Sequence, residues 1–214
     1  MGASAIAFIH GLTFGDLPKD VVEQGRLCLL DLLGVALAGR QTALSRIASD
    51  HAVDFFAAGR LRSRILFDGR VASPIGAGLA GAMTIDSCDG HDGHAETKGH
   101  VGVTVLPALL ALAEHRPDMS GREFLTCLVL GYEIGTRAGI ALHASACDYH
   151  TSGAWNALAA AALVGGGGGG GPPPPPPGGG GGGAPPPPPH CPVHPGRGVH
   201  PAPWLPPLTR DRSR

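Results

Sequence analysis

The densest group of side chains that could take part in chemistry lies in DSCDGHDGHAETKGH, residues 86–100. This short polar segment separates two apolar stretches and carries carboxylates, histidines and a lysine: Asp86, Asp89, His91, Asp92, His94, Glu96, Lys98 and His100. Polar groups this dense beside helices can bind a metal, hold an anionic substrate or simply solvate a loop. All three alternatives are open at this point.

The metal alternative rests on His91 and His94 with the carboxylates around them. Imidazole and carboxylate are both accepted ligands of zinc and iron. A spacing of three is compatible with one helical face, but the glycines between these residues argue against a helix here. A metal-dependent hydrolase that uses His91, His94 and His100 is therefore one alternative, which metal analysis of protein prepared without chelator would test.

The acid–base alternative needs a histidine at the start of a helix. A histidine with an ordinary pKa of about 6.5 can take a proton from carbon or give one to a leaving hydroxyl. His100 lies just before a predicted helix, whose N-terminal N–H groups favour a substrate carboxylate. His150 precedes a later helix in the same way, so the two helix N-termini could converge on one anionic ligand.

Apolar periodicity predicts a mainly α fold with short connecting loops. A first strong helix begins near Pro18 and stops near Gly39, and a weaker amphipathic segment covers residues 43–58. Residues 62–69 are predicted as a short strand or an extended link. After the polar loop, VTVLPALLALAEH restores helical periodicity.

Serine residues mark the starts of further helices. Ser73 with Pro74 opens a segment that contains three glycines, Gly76, Gly78 and Gly81. Each glycine would destabilise an isolated helix by about 1 kcal/mol, so we predict that they permit close packing of the backbone against a neighbour.

Two more helices are predicted near the end of the helical part. Ser120 and Glu123 form the pattern of a capping box at the start of a long helix. A last, alanine-rich helix starts near Thr151 or Ser152.

Residues 165–214 differ in composition from the rest of the chain. Seven glycines and then six prolines follow the alanine-rich helix directly, and all but four of the 21 prolines lie in this segment. Because polyproline is extended and polyglycine flexible, we predict a disordered, low-complexity tail after a helical domain of residues 1–164. The tail is either a linker or the product of a shifted reading frame in GC-rich DNA, which resequencing across the Val164 codon would distinguish.

Composition excludes several classes of function. The net charge of −1 gives no basic surface for nucleic acid, and the apolar runs are predicted to fall short of a membrane span. The N-terminus lacks the cationic region of a secretory signal. Five scattered cysteines without a CxxC pair favour a reduced, cytoplasmic compartment. We expect no cofactor and no nucleic-acid or membrane partner.

Four runs of sequence, in order, resemble the MmgE/PrpD family: LDLLGVALAG (30–39), HVGVTVLPALLALAE (100–114), GYEIGTRAGIAL (131–142) and YHTSGAWNALAAAA (149–162). That family includes metal-independent 2-methylcitrate dehydratases, cis-aconitate decarboxylase and iminodisuccinate epimerase. The resemblance covers about residues 5–164 and implies the incomplete N-terminal part of an all-helical domain. Family members are generally homodimers with a second, lid domain, which nothing in this chain matches.

The resemblance also implies roles for single residues. His100 falls on the family's catalytic histidine, and His150 falls on the histidine of its His-Pro-Thr-Gly segment. Asp86 falls on the first aspartate of the family's Asp-rich stretch, and we expect it to support the two catalytic histidines. Four further residues are interpreted as substrate-binding: Asp89, His91, Lys98 and Ser152.

The chain departs from the family pattern in the same loop. Gly90 stands in place of a threonine, Cys88 of an aspartate and Val101 of a proline, and the loop before His100 is longer. Lys98 has no clear counterpart and could bind a substrate carboxylate or face solvent. These changes suggest a substrate other than methylcitrate.

The sequence thus predicts a 2-methylcitrate dehydratase-like lyase acting on a small di- or tricarboxylate. A histidine removes a proton next to a carboxylate, after which dehydration, decarboxylation or epimerisation follows. Because part of the expected site is missing, the chain as written is expected to be truncated and inactive. The alternative from another class is a non-catalytic helical scaffold whose proline-rich tail binds an SH3- or WW-like groove.

Overall fold

The computed structural model describes residues 2–146 and 152–166, with side chains from residue 5 onward. These residues form seven α-helices, with longer connections at residues 56–73 and 87–101: α1 (Gly2–Gly11), α2 (Lys19–Gly39), α3 (Ala43–Phe55), α4 (Pro74–Asp86), α5 (Gly102–Glu114), α6 (Gly121–Ser145) and α7 (Gly153–Gly166). The mainly α prediction is confirmed. His150 and the predicted tail beyond Gly166 lie outside the described residues.

The segment predicted as a strand or an extended link forms half of a small hairpin. Strand β1 (Ser63–Arg64) pairs antiparallel with β2 (Val71–Ala72), with Ser63 opposite Ala72. Ile65 beside β1 is 1% exposed and packs with alanines of α3 and α4. The hairpin therefore fastens α3 to α4 at one side of the domain.

The main core lies where α2, α5, α6 and α7 meet. Its members are buried apolar side chains that include Val22, Val105, Leu109, Leu128, Trp155 and Leu163. A second cluster of Leu32, Ala36, Ile85 and Leu106 joins α2 and α4 to α5. These two clusters hold the end of α4 and the start of α5, between which the polar loop lies.

The glycines of α4 divide into two kinds. A Cβ on Gly76 would lie 2.5 Å from the Cβ of Phe56, and one on Gly81 would lie 3.1 Å from Pro107. The prediction of close packing is therefore confirmed at these two positions. It is wrong at Gly78, where a Cβ would meet nothing within 4 Å, because two residues are about 200° apart around a helix.

Both predicted serine caps are confirmed. Ser73 Oγ accepts a hydrogen bond from the Gly76 amide, and Ser120 Oγ accepts one from the Glu123 amide, each at 3.2 Å. At the second cap the Glu123 carboxylate does not complete the predicted box, since it accepts from Arg116 Nη2 at 2.7 Å. These caps fix the first turns of α4 and α6.

Helix α6 corrects the expectation that the apolar runs of this sequence fall short of a membrane span. It has 25 residues, and its most apolar window has a mean hydropathy of 1.3, so it is long and apolar enough to cross a membrane. However, 61% of that window is buried inside the protein. Such burial is typical of a core helix, and α6 packs against α2, α5 and α7.

Candidate active site

The polar loop between α4 and α5 folds into a tight turn. The His94 amide donates to the Gly99 carbonyl at 3.0 Å, and the buried Thr97 hydroxyl donates to the His94 carbonyl at 3.1 Å. Asp89 and Lys98 have φ angles of 44° and 48°, in the left-handed region that costs an L-residue about 1–2 kcal/mol. The loop is therefore held in a defined and locally strained shape.

His100 lies at the end of this loop, two residues before α5. Its Nδ1 atom is 2.8 Å from the carbonyl oxygen of Asp92. Because a carbonyl can only accept, Nδ1 carries the hydrogen, and Nε2 of the neutral ring has a free lone pair. The side chain is 27% exposed, and Nε2 lies 3.7 Å from Asp89 Oδ1. Nε2 is thus the atom available for proton transfer.

His91 is stacked on His100 in the interior. The two ring centroids are 4.0 Å apart, and the His91 side chain is 0% exposed. Burial, and then the neighbouring His100, lower the pKa of His91 below its ordinary value. We therefore expect a neutral His91 at pH 7, which adds no positive charge next to His100.

Asp86 and Asp89 approach different histidines. Asp86, at the end of α4, has its Oδ1 atom 3.7 Å from Nε2 of His91, whereas Asp89 faces His100. Asp86 therefore lies next to His91, and the His91 ring in turn contacts His100. Both carboxylates are exposed, so they line the outer side of the histidine pair.

The carboxyl group of Asp92 points into the protein near Tyr132. Burial raises the pKa of Asp92 to about 6, while the Tyr132 hydroxyl opposes this rise and the Asp31 charge adds to it. Burial also raises the pKa of the Tyr132 hydroxyl. Asp92 therefore contributes its main-chain carbonyl to His100, and its carboxyl is partly protonated near pH 6.

Two distant helices hold the loop through its backbone. The Asp92 amide donates to Asp31 Oδ2 on α2 at 3.1 Å, and Asn156 Nδ2 on α7 donates to the His100 carbonyl at 2.7 Å. Sequence reasoning missed Asp31, Tyr132 and Asn156. The only signal for Asn156 was a lone amide in an alanine-rich helix.

The start of α7 lies against the residue before His100. A Cβ on Gly99 would lie 2.3 Å from Ser152 Oγ and 3.0 Å from the Trp155 ring, so only glycine fits there. This contact brings the turn that opens α7 to the His100 loop, as far as Ser152. His150, two residues earlier, is outside the described residues, and its catalytic role stays a prediction.

Lys98 is exposed, and its described main-chain contact is a hydrogen bond from its amide to the Ala95 carbonyl at 3.3 Å. Beside the loop, a cavity of about 270 Å³ is lined by residues of α2 and of the loop: Gln24, Leu27, Cys28, Asp31, Gly90, His91 and Asp92. Burial raises the pKa of the Cys28 thiol. Asp31 and Asp92 place carboxyl groups in the same lining.

The described residues do not support the metal alternative. Among residues 2–146 and 152–166, no group of three or more His, Cys, Asp and Glu side chains is placed to hold a metal ion. The His91 and His100 rings contact each other at a tilt of 39°, and His94 Nδ1 accepts from the Thr97 amide at 3.4 Å. The three histidines of the proposed hydrolase site are therefore not arranged as a set of metal ligands in the described residues.

The fold and the site together define a class: a mainly helical domain in which a loop histidine with a free Nε2 atom lies before a helix N-terminus. Comparison with known proteins then gives the family. The MmgE/PrpD N-terminal domain matches residues 5–167, and the chain belongs to the MmgE/PrpD family.

Three relatives illustrate this similarity. The cis-aconitate decarboxylase of Aspergillus terreus is 28% identical over 138 residues, which cover 63% of this chain and 28% of the relative. The cis-aconitate decarboxylase-like protein oryM of Aspergillus oryzae is 33% identical over 134 residues, and the human cis-aconitate decarboxylase is 31% identical over the same length. These matches cover 60% of this chain and 27% of each relative. The chain therefore spans less than a third of the length of these relatives.

Proposed function

We propose that this chain is the N-terminal part of a lyase that acts on a small di- or tricarboxylate. The observation that carries the proposal is the hydrogen bond from His100 Nδ1 to the Asp92 carbonyl, which leaves Nε2 as a base. The family and the relatives named cis-aconitate decarboxylase support a carboxylate substrate. Dehydration and epimerisation begin with removal of a proton from a carbon next to a carboxylate. Decarboxylation instead breaks a C–C bond to release carbon dioxide, and the carbon that keeps the electron pair then receives a proton.

In the proposed reaction, His100 Nε2 transfers this proton. When it removes the proton, the electrons of the C–H bond move into the adjacent carboxylate, and an enolate-like intermediate forms. Donors must stabilise the developing negative charge, because this effect is usually the largest contribution to catalysis. Among the described residues, the exposed Lys98 is a cationic donor close in sequence to His100, whereas the Gly102 N–H at the start of α5 is already directed at the Asp92 carboxyl.

Two side chains lie next to the His100 ring. His91, whose pKa is lowered by burial, is in ring contact with it, and Asp89 Oδ1 lies 3.7 Å from its Nε2 atom. His150 would orient the substrate or transfer a second proton, and Ser152 would bind it. The expected homodimer, the cytoplasmic location and the absence of a metal requirement belong to the same proposal.

A proton-exchange assay tests this function. Candidate substrates, including cis-aconitate and 2-methylcitrate, are incubated in D2O, and proton NMR follows exchange at the carbon next to a carboxylate. We expect no detectable exchange with this 214-residue chain, since it covers less than a third of its relatives.

The decisive comparison rests on the further proposal that another reading frame continues α7, and it uses the extended protein translated in that frame. There we expect exchange, and His100→Ala should lower its rate by roughly 100-fold or more. His115→Ala, which removes an exposed histidine at the far end of α5, is the matched control. Normal exchange in His100→Ala would remove His100 from the mechanism.

A further inference from the structure

Asp31 of α2 reaches the histidine loop from a part of the sequence 61 residues away. Its Oδ2 atom accepts a hydrogen bond from the Asp92 amide at 3.1 Å, and both residues line the cavity together with His91. A backbone amide that donates to a carboxylate makes a stronger hydrogen bond than one that donates to a neutral oxygen. The loop is therefore tied to α2 at Asp92.

Asp92 is also the residue that fixes the His100 ring. Its carbonyl accepts from His100 Nδ1 at 2.8 Å, whereas its amide donates to Asp31. The direction of the carbonyl depends on the φ and ψ angles of Asp92, and a bond to its amide restricts these angles. The hydrogen bond that holds the Asp92 amide therefore also limits the direction of the Asp92 carbonyl.

We propose that Asp31 is a positioning residue for His100. Through the backbone of Asp92, it keeps the imidazole in the tautomer with hydrogen on Nδ1, so that Nε2 faces outward with its lone pair free. Asp31 acts on the ring through another residue and does not touch the reacting atoms. The proposal rests on the proposed function only in giving Nε2 the role of the base.

The test is the tautomer of His100 in the complete 214-residue chain, which needs neither substrate nor turnover. Long-range proton–nitrogen NMR of protein with ¹⁵N-labelled histidine reports which ring nitrogen carries the hydrogen. The spectra are taken at about pH 8, where an ordinary histidine ring is neutral. The His100 signals are assigned by their loss in His100→Gln.

We expect mainly the Nδ1–H form in the unchanged chain. In Asp31→Ala, the ratio of the Nδ1–H to the Nε2–H form should fall by roughly threefold to tenfold, the range expected for loss of one hydrogen bond. Asp31→Asn keeps an oxygen that can accept from the Asp92 amide, so its ratio should return towards the original value. An effect of the Asp31 charge alone would not produce this rescue, because asparagine keeps the acceptor oxygen and removes the charge.

Asp54→Ala, which changes an exposed aspartate on α3, is the matched control. Circular dichroism checks the fold of each variant. If Asp31→Ala unfolds, Asp31→Leu replaces it, because the neighbouring Leu27 and Leu30 are also exposed leucines. An unchanged ratio in the folded variant, or an equal change in Asp54→Ala, would overturn the proposal. Absence of proton exchange in the extended protein would instead count against the proposed function and leave the tautomer result standing.

Discussion

His100 and Asp92 show how one residue can act on the site through two different groups. The carbonyl of Asp92 sets which nitrogen of the His100 ring carries the hydrogen, whereas the carboxyl of Asp92 is buried beside Tyr132. The carbonyl positions the His100 ring, whereas the buried carboxyl group lowers the stability of the folded protein when it is charged. The two effects can be separated by experiment, because a side-chain substitution leaves the carbonyl in place.

Asp92→Asn should stabilise the protein at neutral pH. Burial raises the pKa of this carboxyl from 3.8 to about 6, so the folded state holds the proton more tightly than the unfolded state. The stability that Asp92 contributes is present below about pH 4 and is lost as pH rises through about 6. We expect Asp92→Asn to raise the free energy of unfolding by about 1–3 kcal/mol at pH 7.5 relative to pH 4.

Urea unfolding followed by circular dichroism at both pH values measures this difference. His91 has the opposite dependence, because its lowered pKa removes stability as pH falls, but it is present in both proteins and cancels in the comparison. Asp54→Asn is the exposed control. The same stability change at pH 4 and at pH 7.5 would show that the Asp92 carboxyl is not buried as described.

At the level of elements, α2 supports the end of α4 through a close backbone contact. A Cβ on Gly39 would lie 2.0 Å from the Thr84 carbonyl oxygen and 2.7 Å from Ser87 Oγ. Thr84 and Ser87 flank Asp86, from which the histidine loop continues. The last residue of α2 thus sets the position at which the loop leaves α4.

Gly39→Ala should therefore lower the free energy of unfolding by about 1–3 kcal/mol, since α4 has to move away. Gly34→Ala on the same helix is the matched control, because a Cβ there would meet nothing within 4 Å. This control should be neutral or stabilising by up to about 1 kcal/mol, the difference in helix propensity. Thermal unfolding of the two variants measures both effects, and equal destabilisation would contradict the contact.

Much of the helical fold could be predicted because its signals are local. Ser73 and Ser120 cap the helices that they were predicted to open, and α2 ends at Gly39 as the sequence indicated. Helix α1 was not predicted, because it has no capping residue and no helical pattern of alternating apolar and polar residues. Gly78 was misjudged because composition does not say which face of α4 is covered.

The site was predictable in its residue types but not in its contacts. The density of histidines and carboxylates, with the family resemblance, pointed to the His100 loop. The bonds from Asp31 to Asp92 and from Asn156 to His100 join residues 61 and 56 positions apart. Such pairs depend on how α2 and α7 pack, which local patterns do not encode.

At the level of the whole molecule, the described residues leave several large apolar side chains exposed on α2, α3 and α4. Those that are more than half exposed include Leu27, Leu30, Leu37, Ile47, Phe55 and Ile75. Exposed apolar side chains that cluster on a surface are a feature of sites that pack against another segment or subunit. Together with a match to only 27–28% of its relatives' length, these exposed side chains support the proposal that the chain is one part of a larger catalytic unit.

The central claim is that the His100 loop binds a carboxylate, and a titration of the 214-residue chain with cis-aconitate tests it most directly. Histidine ring signals are followed by NMR at constant ionic strength, with acetate as the control ligand. We predict shifts of the His100 and His91 signals with a dissociation constant on the order of 1 mM, and unchanged signals from the exposed His10, His51 and His115. If His100 does not respond, or if all histidines respond equally to cis-aconitate and acetate, the account is contradicted.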